Sequence, residues 1–321
     1  MTAPVTASCE IRPQGGLEVL AWPAFEGLGA EILVTTRDGG VSAGPYESLN
    51  LSFSVPDEPG AVLENRRRMA AAAGAGLADF VFARQVHSGR AQVVTAADRG
   101  RGTLSLDDAV PDTDALVTGD PAVVLAILVG DCVPIVLYDP AARVLACVHA
   151  GWRGTVAGIG PATLAAMAGL GARPERVLAG LGPAIAPDRY QVGEDVATEV
   201  RRYFGPGAEA RDGGGGDNPS GGPGRDTGAI LRPDGTGRWL LDLWAANRRQ
   251  LADAGVPDGQ IHVAAVPTGP DPGGKDPGRF FSDRTARPCG RFALVARLTH
   301  TDQRPAPGSQ SGEDSPQETR G

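Results

Sequence analysis

Two side chains able to hold a metal or act as nucleophile and base stand at the ends of apolar runs, within one hairpin-like stretch, residues 122–154. Cys132 follows the run AVVLAILVG and directly succeeds Asp131; His149 closes the run VLACV and opens the segment HAGWRG. If Asp139 pairs with Ala142 or Arg143 across the intervening turn, antiparallel register sets Cys132 opposite His149 or Ala150. A one-residue change of register flips the face, so the shared face rests on the first of these pairings. A thiolate beside an imidazole suits zinc or copper, and a catalytic zinc site takes three protein ligands and keeps a fourth position open. Of the four histidines, His262 lies inside a strand-like run and His300 at the start of a polar tail. His87 ends an alternating run beside Ser88 and Gly89, a position like that of His149, so His87, Cys132 and His149 form the candidate ligand set. Cys147 competes with Cys132, because positions 147 and 149 share a strand face. The same residues also fit a Cys132–His149 nucleophile and base, with Asp131 or another carboxylate orienting the ring.

Arginines are the second ingredient. Arg37 precedes a Gly-Gly turn, Arg153 lies in the glycine-rich HAGWRG turn, and Arg284 follows FFSD. Guanidinium groups at such turns suit phosphate or carboxylate. Asp131, in apolar surroundings, is a candidate general base or partner to a ligand. Glu47 and Asn50 add polar groups in the loop after Gly40.

The elements that must place these residues read as a mixture. Strands are expected over residues 31–36, 80–87, 92–95, 114–118, 122–129, 135–138, 144–148, 176–181, 261–266 and 292–298. Helices are expected over 61–73, 155–168 with irregularity near Pro161, 193–203 and 239–254. Hairpins without strict strand–helix alternation argue for a compact mixed-sheet α/β sandwich in a single domain. Residues 1–30 read as an N-terminal extension, 31–300 as the catalytic domain, 205–237 as a flexible Gly-rich insertion and 301–321 as a disordered tail.

Bulk properties narrow the function. The 321 residues carry a formal net charge of −8 with no basic block, which argues against nucleic acid as partner. Four scattered cysteines without CxxC pairs are no disulfide framework. No signal peptide is expected at MTAPVTASCE, and the run from Ala122 to Val129 is too short to span a bilayer. The expectation is a cytoplasmic protein with no membrane association; monomer and homodimer both fit it.

The motifs TRDGGVS at 36–42, YESLNL at 46–51, QVH at 85–87, GDCVP at 130–134, HAGWRG at 149–154, LGPAI at 181–185 and FFS at 280–282 closely resemble the YfiH-like, laccase-domain family. The resemblance spans roughly residues 31–298 in the same order. It implies a fold related to YfiH-like cysteine hydrolases and a zinc site made by His87, Cys132 and His149, leaving Cys147 without a ligand role. It also implies phosphorolysis of adenosine, inosine, guanosine and methylthioadenosine, with hydrolytic deamination of adenosine. The partners implied are purine nucleosides and phosphate; Arg37 would orient phosphate, joined by Arg153, Asn50 and Arg284 in binding. Family members have also been described as copper phenol oxidases and peptidoglycan editing factors. Copper is the lesser candidate, since a multicopper oxidase needs many histidines and this chain has four. The chain departs from the family pattern at FFSDRT, where FFSYRR is usual, and at 265–268, which lack the usual cysteine.

Overall fold

The computed structural model describes residues 8–209, 229–271, 273 and 277–299. In chain order the strands and helices are β1 (Glu10–Gln14), β2 (Leu17–Ala21), β3 (Ala30–Thr35), α1 (Pro59–Ala72), β4 (Phe80–Phe82), β5 (Ala91–Val93), β6 (Ala115–Thr118), β7 (Val124–Val129), β8 (Val133–Asp139) and β9 (Val144–Ala150). There follow α2 (Trp152–Val156), α3 (Ile159–Ala168), β10 (Leu178–Leu181), β11 (Gln191–Gly193), α4 (Glu194–Phe204), β12 (Leu231–Pro233), β13 (Arg238–Leu241), α5 (Leu243–Asp253), β14 (Ile261–Val263) and β15 (Phe292–Leu298).

Two six-stranded mixed sheets lie face to face. One has the order β1-β2-β3-β15-β7-β4, the other β14-β10-β8-β9-β6-β5; β11, β13 and β12 make a small third sheet. Alternation along the strands sorts the side chains. In β8, Val136 and Tyr138 face the core between the sheets, while Val133, Ile135 and Leu137 face the core shared with α3, α4 and α5. Leu125 and Ile127 of β7 meet the inter-sheet core, and Val124 and Ala126 turn to the opposite face, where Met69 and Ala70 of α1 pack. Strands buried on both faces read as unbroken apolar runs, which is how β7, β8 and β9 look in the sequence. Each fully buried Leu or Ile here contributes about 1.5–3 kcal/mol of transfer free energy.

Several expectations need correction. The stretch 122–154 is not one hairpin: β7 and β8 belong to different sheets, and the bend at 130–132 carries the chain from one to the other. The true hairpin is β8–β9. Its register pairs Asp139 with Val144, Pro134 with His149 and Val133 with Ala150, so Cys132 lies beyond the last pair. The cause is the turn. The Asp139 carboxylate accepts from the amides of Ala141 and Ala142, and Arg143 takes a left-handed φ of 53°, leaving four residues between the paired ends.

Within the N-terminal extension, residues 10–21 form β1 and β2 and continue the first sheet beside β3. Within 205–237, residues 205–208 form a 3-10 turn and Leu231–Pro233 a strand paired with β13; residues 210–228 and the tail 301–321 lie outside the described residues. The expected helix over 239–254 starts later. Trp239 and Leu240 are in β13, and Asp242 caps α5 by accepting from the amide of Ala245. The helix expected over 155–168 is two helices, broken at Gly158 with φ 78°, and Pro161 sits harmlessly in the first turn of α3. The strand expected over 80–87 ends at Phe82.

Candidate metal centre

The centre forms where both sheets present their strand ends. Cys132 comes from the bend between β7 and β8, His149 from the end of β9, and His87 from the loop after β4. Their ligand atoms all lie within 4.8 Å of one another. Among the described residues no other group of three His, Cys, Asp or Glu side chains is placed to hold a metal. The His87 and His149 rings meet edge to face at 4.7 Å between centroids.

The loop carrying His87 is fixed without strand pairing. The Gln85 side chain donates to the carbonyl of Leu128 at 2.7 Å and accepts from its amide at 2.9 Å, replacing a backbone ladder with a side-chain clamp on β7. His87 itself has φ 61°, a left-handed conformation uncommon for a non-glycine residue. It is held there by Asp114, whose carboxylate accepts from the amides of His87 at 3.0 Å and Ser88 at 2.6 Å. The same carboxylate takes His149 Nδ1 at 2.8 Å. Asp114, fully buried, therefore fixes two of the three candidate ligands and leaves His149 Nε2 facing the cluster. The sequence reading did not single out Asp114. Its signal is faint: one acid among several in 107–114, marked only by standing next to the apolar start of β6.

Asp131 does not do this work. Its carboxylate accepts from Thr268 Oγ1 at 2.6 Å and from the amide of Arg284 at 2.6 Å, so it ties 131–132 to the 268 and 284 loops. Cys147 lies in the inter-sheet core, fully buried, and burial pushes its thiol far up. It is an inert apolar side chain, as free cysteines usually are.

Electrostatics in the cluster favour charge separation. Burial acts to raise the Cys132 thiol, but the His149 and His87 imidazoles outweigh it and bring it down to about 6. For His149, burial acts to lower the ring, and the Cys132 thiolate with the Asp114 carboxylate raises it to about 9. Burial likewise opposes ionisation of Asp114, and His149 and Ser88 hold it down at about 2. The cluster thus places a thiolate beside the His149 and His87 rings with the Asp114 carboxylate behind, and a borderline-soft cation would take the place of the proton that His149 otherwise holds.

The space around the sulfur is kept by a glycine. A Cβ at Gly151 would lie 2.7 Å from Cys132 Sγ and 3.1 Å from His87 Cδ2. A side chain at the third position of HAGWRG would occupy the room that a ligated thiolate and imidazole need. Zinc binds histidine nitrogen and cysteine sulfur at about 2.0–2.3 Å, and His87 is the most exposed of the three side chains gathered here. The residues present fit a zinc ion.

A cavity of about 600 Å³ opens over the cluster. Arg153 and Arg284, two of the arginines singled out in the sequence, line it, and so do Arg84, Arg287, Arg291, Ser52, Ser54 and Tyr190, which were not singled out. Arg37 and Asn50 are not among the lining residues. The Arg37 guanidinium donates to the carbonyls of Glu47 and Pro277 and stacks on Phe281 at 4.7 Å. Asn50, fully buried, bonds Ser52, Asp57 and the amide of Arg291. Asn50 thus braces two residues of the cavity wall, Ser52 and Arg291, while Arg37 ties the 47 and 277 loops together. Among the described residues, no helix is long and apolar enough to cross a membrane.

Comparison with known proteins agrees with the geometry. Residues 31–299 match the family model described as multi-copper polyphenol oxidoreductase laccase. A protein of Deinococcus radiodurans named purine nucleoside phosphorylase is 44% identical over 224 residues, 70% of this chain and 75% of its own length. The purine nucleoside phosphorylase YlmD of Geobacillus stearothermophilus is 37% identical over 243 residues, 75% of this chain and 81% of the relative. Among solved structures, YlmD of Geobacillus stearothermophilus superposes with a TM-score of 0.77 at 32% identity, over 91% of this chain and 99% of that one. The hypothetical protein YfiH of Bacillus licheniformis gives 0.77 at 30% identity, over 90% and 99%. With its model match running almost from β3 to the end of β15 and its whole architecture shared with YfiH and YlmD, this chain belongs to the laccase-domain family of multi-copper polyphenol oxidoreductase-like proteins.

Proposed function

We propose that the protein is a zinc-dependent purine nucleoside enzyme. It cleaves adenosine, inosine, guanosine and methylthioadenosine with phosphate and also deaminates adenosine by hydrolysis. The observation that carries this reading is the His87–Cys132–His149 cluster under the cavity, with Asp114 orienting both histidines. The names of the relatives support the substrate class. Zinc held by these three residues would supply Lewis-acid polarisation of a substrate oxygen.

The remaining chemistry falls to the chain. Asp114 holds the His149 ring in one tautomer and one orientation. Gly151 keeps the Cys132 sulfur accessible. Arg153 and Arg284 neutralise phosphate in the cavity and aim it at the ribose carbon. Trp152, lining the cavity, offers an apolar face to a purine. Asp131 acts by positioning, since both of its oxygens are engaged.

The test is turnover of adenosine and inosine by metal-loaded protein, with and without phosphate. Base release that depends on phosphate and vanishes in Cys132→Ser supports the reading; unchanged activity in that variant refutes it.

One observation favours a second reading. Cys132, His149 and Asp114 also stand in the order nucleophile, base and orienting acid, as a cysteine hydrolase or a peptidoglycan-precursor editing enzyme requires. A chelator separates the two: it abolishes a zinc-dependent activity and spares a cysteine-dependent one. Copper phenol oxidation, the activity in the family description, has less support. Several coppers need more histidine ligands than one cluster of two provides, and His262 packs against Phe25 instead.

A further inference from the structure

Five arginines line the cavity, but their engagement differs. Arg84 pairs with Asp112 at 3.1 Å, while Arg287 and Arg291 share Asp283, the latter at 2.8 Å. Arg153 has no carboxylate partner among the described residues; its guanidinium lies 4.5 Å over the Trp152 ring. The Arg284 side chain donates to the carbonyl of Gln191 at 2.9 Å and lies 5.0 Å over the ring of Tyr190, again without a carboxylate. The two carboxylates that line the cavity are engaged elsewhere. Asp283 is held by Arg287 and Arg291, and Asp131 by Thr268 and the Arg284 amide. In one corner, beside Cys132, two guanidinium groups are therefore left without a carboxylate partner.

Tyr190 stands in that corner. Its ring is half-buried against the core under α4 and α5, and its carbonyl is fixed by the amide of Leu241. Its hydroxyl forms no hydrogen bond with a described residue. A phenol packed on one side and unpartnered on the other is a donor awaiting an acceptor.

We propose that Arg153, Arg284 and Tyr190 form one anion subsite, in which the Tyr190 hydroxyl and the two guanidinium groups bind a tetrahedral phosphoryl oxyanion. This rests on the phosphorolytic reading for its meaning but not for its test. Burial, with the nearby Cys132 thiolate, pushes the Tyr190 phenol far up, so at neutral pH it keeps its proton and can donate. The two guanidinium groups supply the positive charge and several N–H donors. The phosphoryl group can come from orthophosphate or from a phosphomonoester such as a nucleoside 5′-phosphate, and the same three residues would serve either.

The experiment is calorimetric titration of the full-length, zinc-loaded protein with inorganic phosphate, for the parent and for Tyr190→Phe, Arg153→Ala and Arg284→Ala. Thermal melts confirm folding, and a phosphate KM is measured where turnover is present. Tyr190→Phe is expected to weaken phosphate binding about tenfold, the loss of one hydrogen bond to a charged group, with the nucleoside KM unchanged. Each arginine variant is expected to weaken it by at least about tenfold. Adenosine 5′-monophosphate is the second ligand. If it binds more tightly than phosphate, with the same dependence on Tyr190, the source is a phosphomonoester; if more weakly, it is orthophosphate.

A parent protein that does not bind either ligand, or folded variants that bind like the parent, overturns the subsite. A Tyr190→Phe protein with a lowered melting temperature and unchanged phosphate affinity shows a structural role only and also overturns it. Phosphate binding that depends on Tyr190 in a protein without phosphorolysis leaves the subsite standing and removes the reaction assigned above.

Discussion

Asp114 and His149 are joined twice: Nδ1 of the ring bonds the carboxylate at 2.8 Å, and the amide of His149 donates to the carbonyl of Asp114 at 2.7 Å. The second contact continues the β6–β9 ladder, which pairs Ala115 with Val148, and the first uses that ladder to fix an imidazole. Because the same carboxylate also takes the amides of His87 and Ser88, one buried side chain sets the spacing between two ligands.

Asp114→Ala should therefore lower metal affinity by about 10–100-fold, the usual effect of removing a partner behind a ligating histidine. Competition with a chromogenic chelator measures it. A variant that keeps parental affinity would show that backbone geometry alone orients the rings.

Gly151→Ala places a methyl carbon 2.7 Å from Cys132 Sγ. The expected outcome is a folded protein with little bound metal, read as zinc per chain by elemental analysis together with an unchanged far-ultraviolet spectrum. Full metal occupancy would mean that the bend at 130–132 yields readily.

Arg37→Ala should leave phosphate affinity and phosphate KM within about twofold of the parent while lowering stability by about 1–2 kcal/mol. Its guanidinium braces Glu47 and Pro277 and does not line the cavity. Chemical denaturation and steady-state kinetics check the two halves. A large rise in phosphate KM would place Arg37 in the subsite after all.

Asp139 sets the β8–β9 turn and is fully buried, bonded to the amides of Ala141, Ala142 and Arg173 and to Arg176. Burial alone would raise its pKa, but the amides of Ala142 and Arg173 and the Arg176 guanidinium together hold it below the ordinary value of 3.8. A depressed acid contributes stability above its unfolded pKa and loses that contribution as pH falls through the folded one. Asp139→Asn should thus cost about 2–3 kcal/mol at neutral pH, and the gap to the parent should shrink below about pH 4. Denaturation midpoints across pH 3–7 show it, and a gap that stays constant with pH would contradict the ionised form.

Much of the candidate centre was legible because residues able to ligate a metal are rare in this chain. Four histidines and four cysteines leave few combinations, and the positions at the ends of apolar runs select among them. The hairpin register was misjudged by the length of the 140–143 turn, yet Cys132 and His149 still meet. Pairing His149 with Pro134 leaves Cys132 two residues further along, as a diagonal neighbour rather than an opposite one. The chain's crossing between sheets at 130–132 was not legible, since an apolar run reads alike whichever sheet receives it.

The sequence by itself determined the identities of the candidate ligands and their places at or near the ends of apolar runs, because those depend on residue identity and local periodicity. Only the tertiary structure decided which carboxylate serves which residue. Asp131, adjacent to Cys132 in the chain, is drawn away by Thr268 and Arg284, while Asp114, 35 residues from His149, holds its ring. It likewise withdrew Arg37 from the cavity and brought in Tyr190. Hydrogen bonds and ion pairs are settled by distance in space, and in a protein of stacked sheets that distance has little to do with distance along the chain.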